Sequence, residues 1–238
     1  SSLVGSEMCI RDSPFGTDKL GRDLLSRVIF GTRTSLIMTL CLVAVIFVIG
    51  TFLGVIAGYF GGIVDGVIMR IADMMISFPG LVLAIAIAGM LGPNLVNAVI
   101  SIAAVSWTKY ARLARSMVLR VKKNLYIEAA VVNGTKTWKI LLVHVLPNMV
   151  TQMVVTAAAD IGTMMLELAS LSFLGFGATA PTPEWGLMLN EGRTYMAKAP
   201  WLMIYPGIAI VICVVIFNML GDLSLIHISE PTRLDVIS

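Results

Sequence analysis

Two acidic residues, Asp160 and Glu167, stand seven positions apart in an otherwise uncharged stretch that runs from about Met149 to Leu171. Seven positions are two helical turns, so on a helix both carboxylates project from nearly the same face. A charge near the centre of a bilayer costs at least about 2.5–3.5 kcal/mol, so such residues usually face a polar cavity or a partner. Two interpretations stay open. The carboxylates line a translocation path and attract a cationic group, or they accept hydrogen bonds from neighbouring helices or a partner subunit.

Residue sets that perform catalysis or hold metals are missing from this sequence. It has no G-x-x-x-x-G-K-[ST] phosphate loop, because the stretch Gly134-Thr-Lys-Thr has no glycine five positions earlier. It also has no H-E-x-x-H motif, and its three cysteines and two histidines do not have metal-ligand spacing. We therefore expect no catalytic residues, no metal and no cofactor, and any energy source must lie on a separate subunit.

A second informative stretch is Glu128–Asn148, with the sequence EAAVVNGTKTWKILLVHVLPN. It predicts two short helices with a joint between them. Glu128 suits the positive end of a helix dipole, and Gly134 can end the first helix with a positive φ. Two alanines allow another surface to approach closely, and the Leu146–Asn148 stretch is predicted to stop the second helix and start a membrane span. A basic loop of this shape suits docking on a cytosolic partner.

The composition indicates which elements must position these residues. Of 238 residues, 58% are hydrophobic and 13% are charged, whereas soluble domains carry about 25% charged residues. So little charge excludes a soluble enzyme, a disordered chain and a disulfide-stapled secreted module. The net charge of +3 is closer to a positive-inside bias than to a nucleic-acid-binding surface, so we expect a lipid bilayer and no nucleic acid as partner.

Charged residues mark the span boundaries, since a helix needs roughly 20 apolar residues to cross a bilayer. The charge-free stretch between Asp73 and Lys109 is too long for one crossing, and Gly92-Pro93-Asn94 reads as a turn that divides it. The prediction is an all-α, polytopic transmembrane helix bundle with five spans: 36–58, one ending near 91, one beginning near 95, 149–171 and 201–220.

Two shorter patterns predict contacts between these helices. Gly50, Gly54 and Gly58 lie on one face of the first span and permit close helix packing, within one bundle or in a dimer. Arg70 and Asp73 are three positions apart and are predicted to form an ion pair.

Lysine and arginine distribution predicts the orientation. The loop between the third and fourth spans is strongly basic and should stay cytoplasmic, and the loop 175–200 should then lie outside. The segment before Arg33 should also be external, although its own basic residues fit the rule poorly. The basic residues of the cytoplasmic loop are Lys109, Arg112, Arg115, Arg120, Lys122, Lys123, Lys136 and Lys139.

These motifs resemble those of a known family. The order E-A-A, Gly134, His144 and L-P-N resembles the EAA loop of ABC importer permeases. The stretches Pro14–Leu36, AGYFGG, Leu171–Met196 and FNMLGD are similar to the C-type permease of dipeptide, oligopeptide and nickel importers. The resemblance covers about 14–222.

This resemblance implies a fold of the type I ABC importer kind in a bacterial or archaeal inner membrane. It further implies a heterodimer with a second permease subunit, two ABC ATPase subunits on the cytoplasmic side and an external solute-binding protein. A secondary transporter or channel subunit without an ATPase partner is the alternative, and peptide and nickel both stay open as substrates. The implied ATPase-coupling residues are Glu128, Ala129, Ala130, Gly134, Ile140, His144, Leu146, Pro147 and Asn148.

The resemblance also predicts the domain boundaries. The permease domain is expected at 14–222, with its cytoplasmic coupling loop at about 109–148. Family members have six spans, so this chain is expected to start after the first of them. The stretches 1–13 and 223–238 look like translated sequencing adapters, and Cys9, His227 and Arg233 are assigned no role.

Overall fold

The computed structural model describes residues 15–229, with side chains described as far as Gly221. It confirms the predicted all-α class: residues 15–229 contain no β-strand, and one isolated bridge joins Thr17 to Asp23. A π-helical turn, Ile140–Val145, and a 3-10 turn, Arg193–Tyr195, also occur. The helices are α1 (Leu24–Phe60), α2 (Gly62–Ile76), α3 (Gly80–Leu91), α4 (Leu95–Val121), α5 (Leu125–Val132), α6 (Thr137–Lys139), α7 (Leu146–Phe173), α8 (Trp185–Gly192) and α9 (Trp201–Ser229).

A helix occupies each of the five predicted spans. Fewer than five of these helices are long and apolar enough to cross a membrane. Within the described chain, three helical stretches are long and apolar enough to cross a membrane: Leu24–Phe60, Thr137–Phe173 and Trp201–Gly221. The pair α2 and α3 qualifies as a fourth only together, and it is bent by 92°. Helix α4 does not qualify by itself, because its second half carries the basic residues that begin the predicted cytoplasmic loop.

The apolar spans bury little of their own surface. The most apolar windows of the three qualifying helices are 39%, 28% and 17% buried inside the chain. The remaining apolar side chains need lipid or another subunit around them, as expected of membrane helices. The expectations for residues 1–13 and 230–238 lie outside the described residues.

The chain forms two compact units. The first contains the described residues up to Leu42 together with Ala84–Ile102 and Ile161–Phe217. The second contains Val43–Leu83, Ala103–Asp160 and the described residues from Asn218 onward.

In the first unit, Trp185 is the central core residue. Its side chain is 1% exposed, and its indole Nε1–H donates to the carbonyl oxygen of Val28 at 2.9 Å. Its backbone N–H donates to the Ser35 hydroxyl at 3.2 Å. A Cβ at Gly31 would lie 2.9 Å from the indole ring, so glycine is needed for this contact. The short helix α8 is thereby fixed against the start of α1.

Glu184 caps the N-terminus of α8. Its carboxylate accepts hydrogen bonds from the backbone N–H groups of Gly186 and Leu187 at 2.8 and 2.7 Å. Burial raises the pKa of Glu184, although these two hydrogen bonds act in the opposite direction. The carboxylate thus satisfies two donors that the first turn of a helix otherwise leaves unpaired.

An ion cluster joins the segment before α1 to the end of α8. The buried Arg27 donates to Asp18 at 2.9 Å and to Glu191 at 3.1 Å. Burial acts to raise the pKa of Asp18, but hydrogen bonds from the backbone of Arg22 and Leu20 and from the Arg22 side chain outweigh it and hold that pKa below its ordinary value. The cluster fixes the chain where it enters the first long helix.

In the second unit, α1 and α4 pack closely along the predicted glycine face. A Cβ at Gly50 would meet the Trp107 carbonyl and the Tyr110 Cβ at 2.5 Å, and one at Gly58 would meet the Val118 Cβ at 2.9 Å. A Cβ at Gly54 would overlap the Ala111 carbonyl oxygen. The glycine face therefore serves packing within the bundle, one of the two interpretations above.

We expect Gly54→Ala to destabilise the protein by about 1–3 kcal/mol, because the new methyl group overpacks the contact with α4. Gly66→Ala is the matched control, since nothing lies within 4 Å of a Cβ at that helical glycine. Thermal unfolding of the purified protein in detergent compares the two variants. Equal melting temperatures for both would contradict the assigned packing.

Candidate functional site

The interhelical segment (Leu125–Asn148) begins with the helix α5. Its acidic residue Glu128 lies in the first turn, as predicted, and is exposed. Ile127 is 2% exposed and anchors the helix, whereas Leu125 and Val132 at its two ends are 82% and 85% exposed. One face of α5 is thus fixed to the protein, and its ends present apolar side chains outward.

Gly134 ends this helix in the predicted manner. Its φ is +73°, and its N–H donates to the carbonyl oxygen of Val131 at 2.9 Å. The N–H of Thr135 donates to the carbonyl oxygen of Ala130 at 3.0 Å. These two bonds form a Schellman motif, which requires a left-handed residue after the helix and so favours glycine. The joint between the two helical parts is confirmed.

The predicted stop at Leu146–Asn148 is wrong, although a long helix, α7, does begin at Leu146. The chain continues from α6 through the π-helical turn Ile140–Val145 directly into α7. The N–H of Leu146 donates to Leu141, five residues back, instead of four. Proline at 147 lacks an N–H and its ring crowds the carbonyl four residues back, so a wider turn before it lets the helix continue.

Tyr126 ties the two ends of the segment together. Its hydroxyl accepts hydrogen bonds from the side-chain amides of Asn124 at 3.2 Å and Asn148 at 3.3 Å. The Asn148 amide also donates to the His144 carbonyl at 2.6 Å, and the rings of Tyr126 and His144 lie 6.2 Å apart. The sequence offered no spacing signal for Tyr126, because its approach to Asn148 depends on the turn at Gly134.

The predicted coupling residues differ in how far their side chains are buried. Ile140 is 1% exposed, whereas Ala130, His144 and Leu146 are half-buried. The exposed ones are Glu128, Ala129, Gly134, Pro147 and Asn148.

An apolar groove of about 480 Å³ runs beside the segment within the second unit. One wall is formed by residues 47–56 of α1, and the other by Trp138, Leu141, Leu142 and Leu146. Trp138 is 60% exposed. The indole therefore presents a large apolar surface at the edge of the groove.

Asp160 is buried and paired. It is 6% exposed, and its Oδ1 accepts from Lys109 Nζ at 2.5 Å while its Oδ2 accepts from the Tyr110 hydroxyl at 2.9 Å. Both donors lie on α4. The lysine neutralises the carboxylate, so this arrangement favours the interpretation in which a neighbouring helix satisfies the acid.

Glu167 is half-buried on the same helix, two turns further on, and belongs to the first unit. Its role in a translocation path stays a prediction. Among residues 15–229, no group of three or more His, Cys, Asp and Glu side chains could hold a metal ion.

Several basic residues of the predicted cytoplasmic loop make contacts within the protein. Arg115 donates to Asp65 at 2.5 and 2.6 Å, and Arg112 donates to Asp73. In the described chain Asp73 therefore pairs with α4 and not with Arg70 as predicted. Positive charge on α4 thus holds neighbouring helices together.

Comparison with known proteins adds a family match. Residues 50–231 match the family described as binding-protein-dependent transport system inner membrane component. The chain is 45% identical over 208 residues to the dipeptide transport system permease protein DppC of Alkalihalophilus pseudofirmus, covering 87% of this chain and 68% of that protein. It is 46% identical to the glutathione transport system permease protein GsiD of Pectobacterium atrosepticum, with coverages of 87% and 69%. The nickel transport system permease protein NikC of Escherichia coli is 40% identical, with coverages of 87% and 75%.

A solved structure shares the fold. The MetNI methionine ABC transporter in an inward-facing conformation matches with a TM-score of 0.67 and 20% identity, over 83% of this chain and 94% of that chain.

We expect Gly134→Ala to loosen the end of α5, because a left-handed conformation costs a residue with a Cβ roughly 1–2 kcal/mol. Gly134→Asn is the comparison variant, since asparagine tolerates this conformation better. Hydrogen exchange of the peptide that spans 125–135 should speed up more in the alanine variant than in the asparagine variant. Identical exchange in the wild type and both variants would contradict the assigned turn.

Proposed function

We infer the function of this chain from its family, because the chain belongs to the binding-protein-dependent transport system inner membrane components. The resemblance to ABC importer permeases is thereby confirmed, and so is the predicted fold of the type I ABC importer kind. The protein is a permease component of an inner membrane.

On this basis, we propose that the interhelical segment is the surface on which an ABC ATPase subunit docks. The observation that carries the proposal is the form of α5. Ile127 is buried beneath the helix, while Leu125 and Val132 are more than 80% exposed on either side of the acidic residue Glu128. Exposed large apolar side chains beside charged and small residues are typical of an interaction site. The same segment also supplies one wall of the apolar groove, including Trp138.

In the proposed mechanism, this chain performs no bond-breaking chemistry. Two ATPase subunits hydrolyse ATP and, as they close, move the segment on the cytoplasmic side. The helices attached to the segment then switch the solute path between its inward-facing and outward-facing states, together with a second permease subunit. An external solute-binding protein delivers the solute on the opposite side, where we place the loop 175–200.

The substrate class follows from the names of the relatives, which are permeases for dipeptides, glutathione and nickel. We propose that this chain serves import of small peptides or nickel. We propose that Asp160 and Glu167 both lie along the solute path. The proposal applies to Glu167 in particular, because Lys109 already balances the charge of Asp160.

We expect Glu128→Lys to abolish ATP-dependent uptake and to weaken association with the ATPase at least about tenfold, because a like-charge or mismatched contact in an interface costs several kcal/mol. Lys198→Glu is the matched control, a charge reversal at an exposed residue of the loop assigned to the other side. Co-purification with the ATPase and uptake into proteoliposomes measure both effects.

Normal co-purification of the Glu128→Lys variant would contradict the docking proposal. The alternative, a secondary transporter, gives a different result in the same vesicles. Uptake by the chain without ATPase, driven by an ion gradient and indifferent to ATP, would replace the proposed function.

A further inference from the structure

We propose that Lys109, Tyr110 and Asp160 form a brace that makes the two helices flanking the interhelical segment move together. The inference rests on the proposed function, because it assigns these residues a positioning role in transmitting motion from the ATPase. Helix α4 leads into the segment and helix α7 leads out of it. A bond between the two helices therefore makes both ends of the segment move as one body.

The geometry of the brace fixes both the position and the orientation of the Asp160 carboxylate relative to α4. Lys109 and Tyr110 are consecutive on α4, and they occupy different oxygens of the same carboxylate, at 2.5 and 2.9 Å. Tyr110 is 1% exposed and Asp160 is 6% exposed, so the aromatic ring and the carboxylate are both packed in the core of the second unit. A carboxylate held at both oxygens by one helix can neither slide nor rotate without losing a bond.

Burial of the Asp160 carboxylate makes separation of the pair unfavourable, although the Lys109 side chain is 58% exposed. Parting the two helices would leave a buried carboxylate without its cation, and an uncompensated buried charge is costly. In a surface pair, water would replace the lost partner. The pair therefore resists the separation of α4 from α7 more than an exposed salt bridge would.

A second tie joins the two ends of the interhelical segment to each other. The Tyr126 hydroxyl accepts from Asn148 at the start of α7, while the Asp160 pair joins the same helix to α4 about three turns further along. The neighbouring arginines of α4 bond elsewhere: Arg112 and Arg115 both reach aspartates of α2. In the described chain, Arg112 and Arg115 thus both fix α2, whereas Lys109 is assigned to α7.

A distance measurement in the complete transporter tests the brace. Spin labels are attached at Arg120→Cys and Val150→Cys, two exposed positions on α4 and α7, after the native cysteines are replaced by alanine. The brace predicts a narrow label distance that is the same without nucleotide and with bound ATP. Lys109→Met should broaden the distribution and reduce binding-protein-stimulated ATP hydrolysis about tenfold, within the range of typical coupling effects.

Three further variants separate positioning from simple stability. The charge swap Lys109→Asp with Asp160→Lys should restore the narrow distance at least partly, and Tyr110→Phe, which keeps the ring, should give an intermediate width. Arg112→Met is the matched control, because that arginine fixes α2, and it should leave the α4–α7 distance narrow.

The outcomes of the proposed function and of the brace can be told apart. A wild-type complex without stimulated ATP hydrolysis would overturn the proposed function, while the label distances still test the brace. A Lys109→Met variant with wild-type width and stimulation would overturn the brace alone. Equal broadening in the Arg112→Met control would also overturn it, since the effect would then be general loosening.

Discussion

The second unit depends on how closely α4 can approach its neighbours. Glycines of α1 let the two backbones meet, with Trp107 and Ala111 of α4 against Gly50 and Gly54. Charged side chains of α4 pair with acidic residues of neighbouring helices, although those of Lys109 and Arg112 are 58% and 45% exposed. Lys109 finds Asp160 on α7, and Arg115 finds Asp65 on α2. Backbone packing and ion pairing therefore act together at one helix.

This arrangement suits the proposed role of the chain in an ATP-driven process. The proposed docking surface is the short helix α5, which the turn at Gly134 ends and which Tyr126 ties to Asn148. The adjoining helices α4 and α7 are held to each other, and α4 also contacts α1 and α2. On the proposed function, polar groups lie where motion is transmitted, and apolar groups lie where lipid or a partner surrounds them.

Predictions from the sequence succeeded where the signal is local. The turn at Gly134 and the early position of Glu128 in its helix follow from helix-end preferences, which involve only a few neighbouring residues. Two predictions failed because they considered only neighbouring residues in the sequence. Pro147 was expected to stop a helix, but a π-helical turn absorbs it. Asp73 was expected to pair along its own helix, but Arg112 from α4 reaches it.

By itself, the amino-acid sequence determined the class of protein, because a chain with 13% charged residues in long apolar runs can fold only within a membrane. It also determined the family and the place of the interhelical segment, since these depend on composition and on ordered local motifs. Only the tertiary structure decided which groups meet. The sequence left open whether Asp160 lines a solute path or is satisfied by a neighbouring helix, and its partner Lys109 stands 51 positions away. Contacts of this kind depend on how helices pack in three dimensions, and helical spacing along the chain carries no information about them.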